Sequence, residues 1–128
     1  MLTPLAKELI AGANYATVAT ITKDGSIHQS VVWVGFRGED IVFSTVLGRA
    51  KYKHLAANPT VSLLVIDKDN PYRWVSISGV ASFDDVEADV LINDLSHKYT
   101  GEDFVEMADT ARVNITVNVT RTFQYPPA

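Results

Sequence analysis

Residues 15–36 have the sequence YATVATITKDGSIHQSVVWVGF, and this stretch decides the fold. Its first part, residues 15–22, is rich in the β-branched residues that favour strands. Asp24 and Gly25 follow, and an Asp-Gly pair supplies the positive φ angles that a tight hairpin turn needs. The chain then continues through residues 27–36 as a second strand. The stretch therefore predicts a β-hairpin.

The flanking segments predict further strands and short helices. A turn at residues 37–40 leads into a third strand, which makes a three-stranded meander. The remaining strands are predicted at 60–67, 72–83 with a bulge at Gly79, and 113–120. Helices are predicted from the Thr3 cap and Pro4 up to Gly12, and at 49–57, 86–99 and 102–109. Six strands in hairpin order predict a mostly β fold, a small antiparallel barrel, rather than a βαβ nucleotide-binding fold.

Length and composition predict one domain over residues 1–128. Hydrophobic residues make up 47% of the chain and charged residues 20%, and this composition is slightly apolar for a monomer. A subunit interface could bury the excess apolar side chains. Cysteine is absent, which excludes disulfides, thiolate metal sites and a cysteine nucleophile. The start lacks the pattern of a signal peptide, and no stretch approaches the roughly 20 apolar residues that span a bilayer. We therefore expect a cytoplasmic protein without a membrane span.

The charge pattern singles out one short segment. Between Asp40 and Asp67 the chain has no acidic residue, although its net charge is −4. Arg49, Lys51 and Lys53 lie in this gap, at the start of the predicted second helix. A helix N-terminus already carries partial positive charge, so cations there indicate an anionic ligand. The alternative is a solvated face whose charges are offset elsewhere, and the acidic balance disfavours a nucleic-acid partner.

Neighbouring residues are suited to a phosphate. Gly48 allows close approach to the backbone, and Ser44 and Thr45 add hydroxyl donors. No Ser/His/Asp set and no His-rich metal spacing accompanies them. The residues therefore predict an anion-binding site and no metal site.

The order of these motifs is similar to that of the pyridoxamine phosphate oxidase-like split-barrel superfamily. The matching motifs are Thr20-Ile21-Thr22-Lys23-Asp24-Gly25, Phe43-Ser44-Thr45, Arg49-Ala50-Lys51, Leu55 and Asn58-Pro59-Thr60-Val61-Ser62-Leu63. Within the superfamily the chain most resembles, over nearly its whole length, the flavin/deazaflavin oxidoreductases that use coenzyme F420. The resemblance implies a six-stranded antiparallel split β-barrel with short flanking helices. It also implies a homodimer with each cofactor in a cleft between the two barrels.

The resemblance further implies roles for individual residues. The cofactor-binding set that it implies is His28, Ser30, Val32, Ser44, Thr45, Gly48, Arg49, Ala50, Lys51 and Trp74. In this set Arg49 and Lys51 hold the phosphate, and residues 28–32 run beside the ring system. Trp74 of the partner subunit would lie against the ring, although large aromatics in a small barrel usually serve the core or a dimer interface.

The resemblance also bears on the cofactor and the reaction. Members that bind FMN carry an extra cation on the strand that corresponds to residues 29–35, where this chain has none. This difference favours coenzyme F420 over FMN. The implied activity is hydride transfer between F420 and a small unsaturated or conjugated substrate, for which the cofactor supplies the chemistry. The alternatives are an FMN-dependent oxidoreductase, or a protein that carries a flavin, deazaflavin or tetrapyrrole without turnover.

Overall fold

A computed structural model describes residues 2–105 and 111–128. Within these ranges the chain forms a seven-stranded antiparallel sheet and three helices. The elements are α1 (Pro4–Ala11), β1 (Ala16–Ile21), β2 (Ile27–Val32), β3 (Val34–Arg37), β4 (Asp40–Val46), α2 (Ala50–Ala57), β5 (Thr60–Ile66), β6 (Trp74–Asp84), α3 (Ala88–Thr100) and β7 (Arg112–Tyr125). The prediction of a mostly β, antiparallel fold is confirmed.

The predicted number of six strands is wrong because the second strand is interrupted at Trp33. Before Trp33, β2 pairs with β1; after it, β3 pairs with β4, starting from Val34 opposite Phe43. Val32 and Val34 are both buried in the same core, whereas the Trp33 side chain packs beside α3. One predicted strand is therefore shared between two partner strands.

This interruption brings the two edges of the sheet together at Trp33. The strand order is β2-β1-β5-β6-β7-β4-β3, so the two edge strands are consecutive in the chain and joined only through Trp33. A connection of one residue reaches only a few ångströms, so the sheet must curl until its edges meet. The hairpin pairings predicted for the meander are present, but they lie at opposite ends of the sheet.

The core fills the inside of this curved sheet. Phe43, Leu63, Ile77 and Ile115 are fully buried on its inner face. Helix α1 contributes Leu9 and Ile10 to the same core, and α2 contributes Leu55. Helix α3 lies on the other side of β4, with the predicted stripe of Leu91 and Leu95 packed against Val42.

Most predicted boundaries agree with the structure. The Thr3 hydroxyl accepts a hydrogen bond from the Ala6 N–H at 3.2 Å, and Gly12 ends α1. The register of β6 against β7 shifts between Ser78 and Gly79, which confirms the bulge. Strand β7 continues past its predicted end and pairs Tyr125 with Trp74. Of the helix predicted at 102–109, residues 102–105 are not helical and 106–109 lie outside the described residues.

Candidate functional site

A cavity of about 280 Å³ lies where the end of β4 meets the start of α2. Three cations line it: Arg49, Lys51 and Arg112. Ser44 also lines it, and no carboxylate does among the residues that the structure describes. Two of the three cations that the sequence singled out, Arg49 and Lys51, thus lie at a concave surface together with Arg112 from β7, whereas Lys53 does not line the cavity.

The start of α2 presents backbone donors to this region. Gly48 has φ 94°, a left-handed conformation that glycine adopts without steric cost, and the Arg49 N–H closes the turn onto the Val46 carbonyl at 3.1 Å. Arg49 is the N-cap of α2, and it makes no side-chain capping hydrogen bond. The first N–H groups of a helix have no partner within the helix, so they add to the positive potential of the cations.

The surroundings of Lys51 disfavour its charge. Its side chain is partly buried, and burial lowers its pKa below the usual value. The neighbouring guanidinium groups of Arg49 and Arg112 lower the same pKa further. Three like charges in one small cavity repel one another, and a bound anion would relieve that repulsion.

Arg112 was not among the predicted site residues. It is the first residue of β7 and pairs with Val46 of β4, which brings it beside the turn that leads into α2. Its Nη1 donates a hydrogen bond to the Ser44 hydroxyl at 3.3 Å. Its guanidinium carbon lies 4.7 Å from the centre of the Phe104 ring. No local motif marks this residue, because its position depends on the register of β7 against β4.

Aromatic side chains form another part of the cavity wall. Trp33 stacks on Tyr99 with ring centres 5.6 Å apart and planes 8° apart, and it meets Phe104 edge to face at 6.3 Å. Tyr15 contacts Tyr99 at 5.3 Å. The Tyr99 hydroxyl donates to the Asn14 carbonyl at 2.6 Å and accepts from the Val34 N–H at 3.2 Å, which fixes the wall to the barrel. Trp33, Tyr15 and Phe104 line the cavity, and none of the three is among the site residues predicted from the sequence.

Residues 28–32 of β2, which were predicted to run beside the cofactor ring, line the cavity only in part. Val32 lines the cavity, but His28 and Ser30 lie further along the same inner face of β2. The His28 ring is 5.2 Å from the His54 ring of α2, and His54 Nδ1 lies 3.0 Å from the Thr20 hydroxyl. Among the described residues, neither His28 Nδ1 nor the Ser30 hydroxyl has a hydrogen-bond partner. The structure therefore places these two residues in the barrel interior beneath α2.

Two other predicted residues lie away from the cavity within one chain. Thr45 is buried on the inner face of β4, because consecutive strand residues point to opposite sides and Ser44 faces the cavity. Trp74 begins β6, pairs with Ile66 of β5 and does not line the cavity within one chain.

Comparison with known families identifies the chain. The family model described as pyridoxamine 5'-phosphate oxidase matches residues 2–125. The chain belongs to this family. The split barrel, with its edge strands joined at Trp33, is therefore the form that the family fold takes in this chain.

Solved structures extend the family comparison. A protein named F420 reductase is 31% identical, with a TM-score of 0.82 over 91% of this chain and 94% of that chain. The conserved hypothetical protein Rv2991 from Mycobacterium tuberculosis is 24% identical, with a TM-score of 0.80 over 97% and 84%. A putative pyridoxamine 5'-phosphate oxidase from Listeria innocua is 18% identical, with a TM-score of 0.66 over 87% of each chain. The last two show the fold alone. No curated protein matches the chain.

The described part of the chain holds no group of three or more histidine, cysteine or acidic side chains that could bind a metal ion. None of its helices has both the length and the apolar composition that a membrane span requires.

Proposed function

We propose that this protein is an oxidoreductase of the flavin type that uses coenzyme F420. It would transfer a hydride between the cofactor and a small unsaturated or conjugated substrate. The observation that carries the proposal is that Lys51, partly buried, shares a cavity with the guanidinium groups of Arg49 and Arg112 and with aromatic side chains. A ligand with a flat ring and a phosphate on the chain that extends from it matches both sets of side chains.

The cationic half supports phosphate binding. Arg49 and Lys51 supply charge-assisted hydrogen bonds, and the uncapped start of α2 supplies backbone donors. Gly48 lets a phosphate approach the backbone closely, with no atom within 4 Å of the place a Cβ would take. Together these groups would anchor the cofactor and set the direction in which its ring extends.

The aromatic half supports ring binding. Trp33 and Phe104 are fixed by their contacts with each other, and Tyr15 is half exposed at the same cavity. When bound, F420 supplies two-electron hydride chemistry, while the protein binds, orients and shields the ring from water. The apolar side chains of Val32, Ile92 and Leu95 would exclude water on the cavity side.

Two observations favour F420 over FMN. The similar structure at 31% identity is named an F420 reductase. Strands β2 and β3, together with Trp33 between them, carry no lysine or arginine until Arg37. Arg37 does not line the cavity; it forms a salt bridge to Asp84 at 2.7 Å. The strand that bears the extra phosphate cation in FMN-binding relatives therefore offers none here.

The cofactor assignment is tested by titration. We expect F420 to bind the purified protein with a change in its fluorescence, and FMN to bind more weakly. Binding of FMN alone would show that the cofactor assignment is wrong. Tight F420 binding without turnover of enone, quinone or tetrapyrrole acceptors would indicate a cofactor carrier rather than an enzyme.

The outer face of the sheet supports a homodimer. Three exposed apolar side chains, Val31, Leu64 and Phe123, lie in one row across the sheet, joined through Thr17 and Ser76. A parallel row contains Ile66, Trp74 and Tyr125. Rows of exposed apolar side chains with small residues between them are suited to close packing against another subunit.

The same face adjoins the cavity. Val31 is 65% exposed, belongs to the first row and also lines the cavity. A second copy packed on this face would cover the cavity at Val31. The row of that copy that contains Trp74 would then lie near the cavity of the first chain. The proposed dimer therefore completes the cleft that a single chain leaves open.

We expect the wild-type protein to be a dimer and the Leu64→Asp variant to be a monomer, because the substitution places a charge at the centre of the apolar face. The control is Val90→Asp on α3, which adds the same charge at a site of similar exposure, 46% against 37%. Light scattering coupled to gel filtration measures the mass of each. A monomeric wild type, or a Leu64→Asp dimer, would contradict the proposed interface.

A further inference from the structure

We propose that Arg112 is a specificity-determining residue of the cavity, which selects ligands that carry a phosphate over the same ring systems without one. This inference rests on the proposed cofactor function and assigns a residue to it that neither the motifs nor the resemblance indicates. Three lines of evidence support it: the backbone that places Arg112, the contacts that orient its guanidinium, and the charges around it.

The backbone around Arg112 is tied to the start of α2. Arg112 pairs with Val46, and the Leu47 N–H donates to the Ala111 carbonyl at 3.0 Å. The Arg49 N–H in turn donates to the Val46 carbonyl at 3.1 Å. The start of β7 and the Gly48 turn are thus held together by main-chain hydrogen bonds on consecutive residues, so the position of Arg112 relative to Arg49 and Lys51 is fixed.

Contacts with Phe104 and Ser44 help to orient the guanidinium. Phe104 lies under it at 4.7 Å, within the range of a cation–π interaction, and Ser44 accepts a hydrogen bond from Nη1. Phe104 is itself held in place, since its N–H donates to Asn93 Oδ1 at 2.9 Å and its ring meets Trp33. Phe104 is therefore a positioning residue for Arg112.

The type of cation explains the selectivity. A guanidinium is planar, stays charged and presents its donors in a fork that fits two phosphate oxygens, whereas an ammonium acts as a point charge. Arg49 is exposed and Lys51 has a flexible stem, so neither is oriented as Arg112 is. The charge of Arg112 contributes to the lowered pKa of Lys51, and both residues line the same cavity.

The test compares ligands with and without a phosphate. Dissociation constants are measured for FMN against riboflavin, which differ only in the phosphate, and for F420 against its deazaflavin riboside, which lacks the phosphate and the tail beyond it. We expect Arg112→Gln to weaken the phosphate-bearing ligand that binds wild type by about 30-fold. The phosphate-free ligands should change by less than about 3-fold, and Arg112→Lys should be intermediate because it keeps the charge and loses the fork.

Lys53→Gln is the matched control. It removes one charge from the same helix at an exposed position that does not line the cavity, and we expect it to leave all four affinities within about 3-fold of wild type. Phe104→Leu should weaken phosphate-bearing ligands in the wild-type background and have no further effect in Arg112→Gln, because it acts through Arg112. Melting curves of each variant confirm that it is folded.

The outcomes separate the two proposals. Equal loss for ligands with and without phosphate, or no loss in Arg112→Gln and Arg112→Lys, overturns the role of Arg112 and leaves the cofactor function standing. Failure of the wild-type protein to bind any of the four ligands overturns the proposed function and this inference together.

Discussion

Replacing Arg49 and Lys51 together with alanine is expected to weaken cofactor binding by about 3 kcal/mol, or roughly 150-fold in Kd. The loss comes mainly from Lys51, whose partly buried ammonium would be neutralised by the phosphate, while Arg49 is exposed and contributes less. Isothermal calorimetry with F420 measures the change directly.

The same double variant should be at least as stable as wild type without ligand. The double variant removes both causes of the lowered pKa of Lys51, which are first the burial of its charge and then the repulsion by neighbouring cations. Weaker binding together with an unchanged or higher melting temperature would separate a lost ligand contact from a damaged fold. A variant that melts earlier than wild type would contradict the account of the cavity as a set of opposed charges.

A charge-matched control is available for this experiment. Lys23→Ala with Lys53→Ala removes two positive charges from exposed positions that do not line the cavity. We expect this control to keep nearly full affinity at 0.15 M salt, because screening acts over about 8 Å. If both double variants lose affinity equally, long-range attraction and not the cavity holds the ligand.

The parts of the fold that the sequence predicted correctly depend on local signals. The Asp24-Gly25 turn, the Thr3 cap and the arrest of α2 before Pro59 each involve residues within a few positions of one another. The interruption of the strand at Trp33 does not depend on a local signal. Residues 27–36 carry a strand signal throughout, and only the competition between β1 and β4 for that segment divides it.

The residues of the candidate site also fall into those that a local motif indicates and those that only the fold brings together. Ser44, Arg49 and Lys51 lie within eight residues, so the motif that contains them could be recognised before the fold was known. Arg112 is brought to them by the pairing of β7 with β4. Thr45 was grouped with Ser44 by its hydroxyl, but the two side chains lie on opposite faces because the pleat alternates.

The interior polar residues show a further limit of sequence reasoning. His28 and Ser30 alternate with exposed neighbours on β2, which fits either a ligand wall or an inward face. In the structure both side chains lie inside the barrel, with the His28 ring against the His54 ring of α2, and they lie four and two residues before Val32, which lines the cavity. Which side of a curved strand faces a cleft depends on where the sheet bends, and that bend is at Trp33.

Gly79→Ala is expected to destabilise the protein by about 3 kcal/mol, seen as a fall in Tm of about 10 °C. Gly79 is buried at the bulge between β6 and β7, where a Cβ atom would lie 2.3 Å from the Asn118 carbonyl oxygen. That oxygen belongs to the backbone of the neighbouring strand, so it cannot rotate away as a flexible side chain would. The strands would have to separate at the point where the sheet curves.

The neighbouring residue provides the control for this prediction. Ser78→Ala removes one half-buried hydroxyl on the same strand and adds no atom, so we expect a change below about 0.5 kcal/mol. The added Cβ would also lie 3.2 Å from Val117 Cγ1, and this side chain could move slightly to make room. The Asn118 backbone could not move in the same way, because Asn118 pairs with Val80 in the sheet. A Gly79→Ala protein that unfolds at the same urea concentration as Ser78→Ala would therefore show that the bulge tolerates a Cβ. In that case the close approach of β6 and β7 is not what holds the curvature of the barrel.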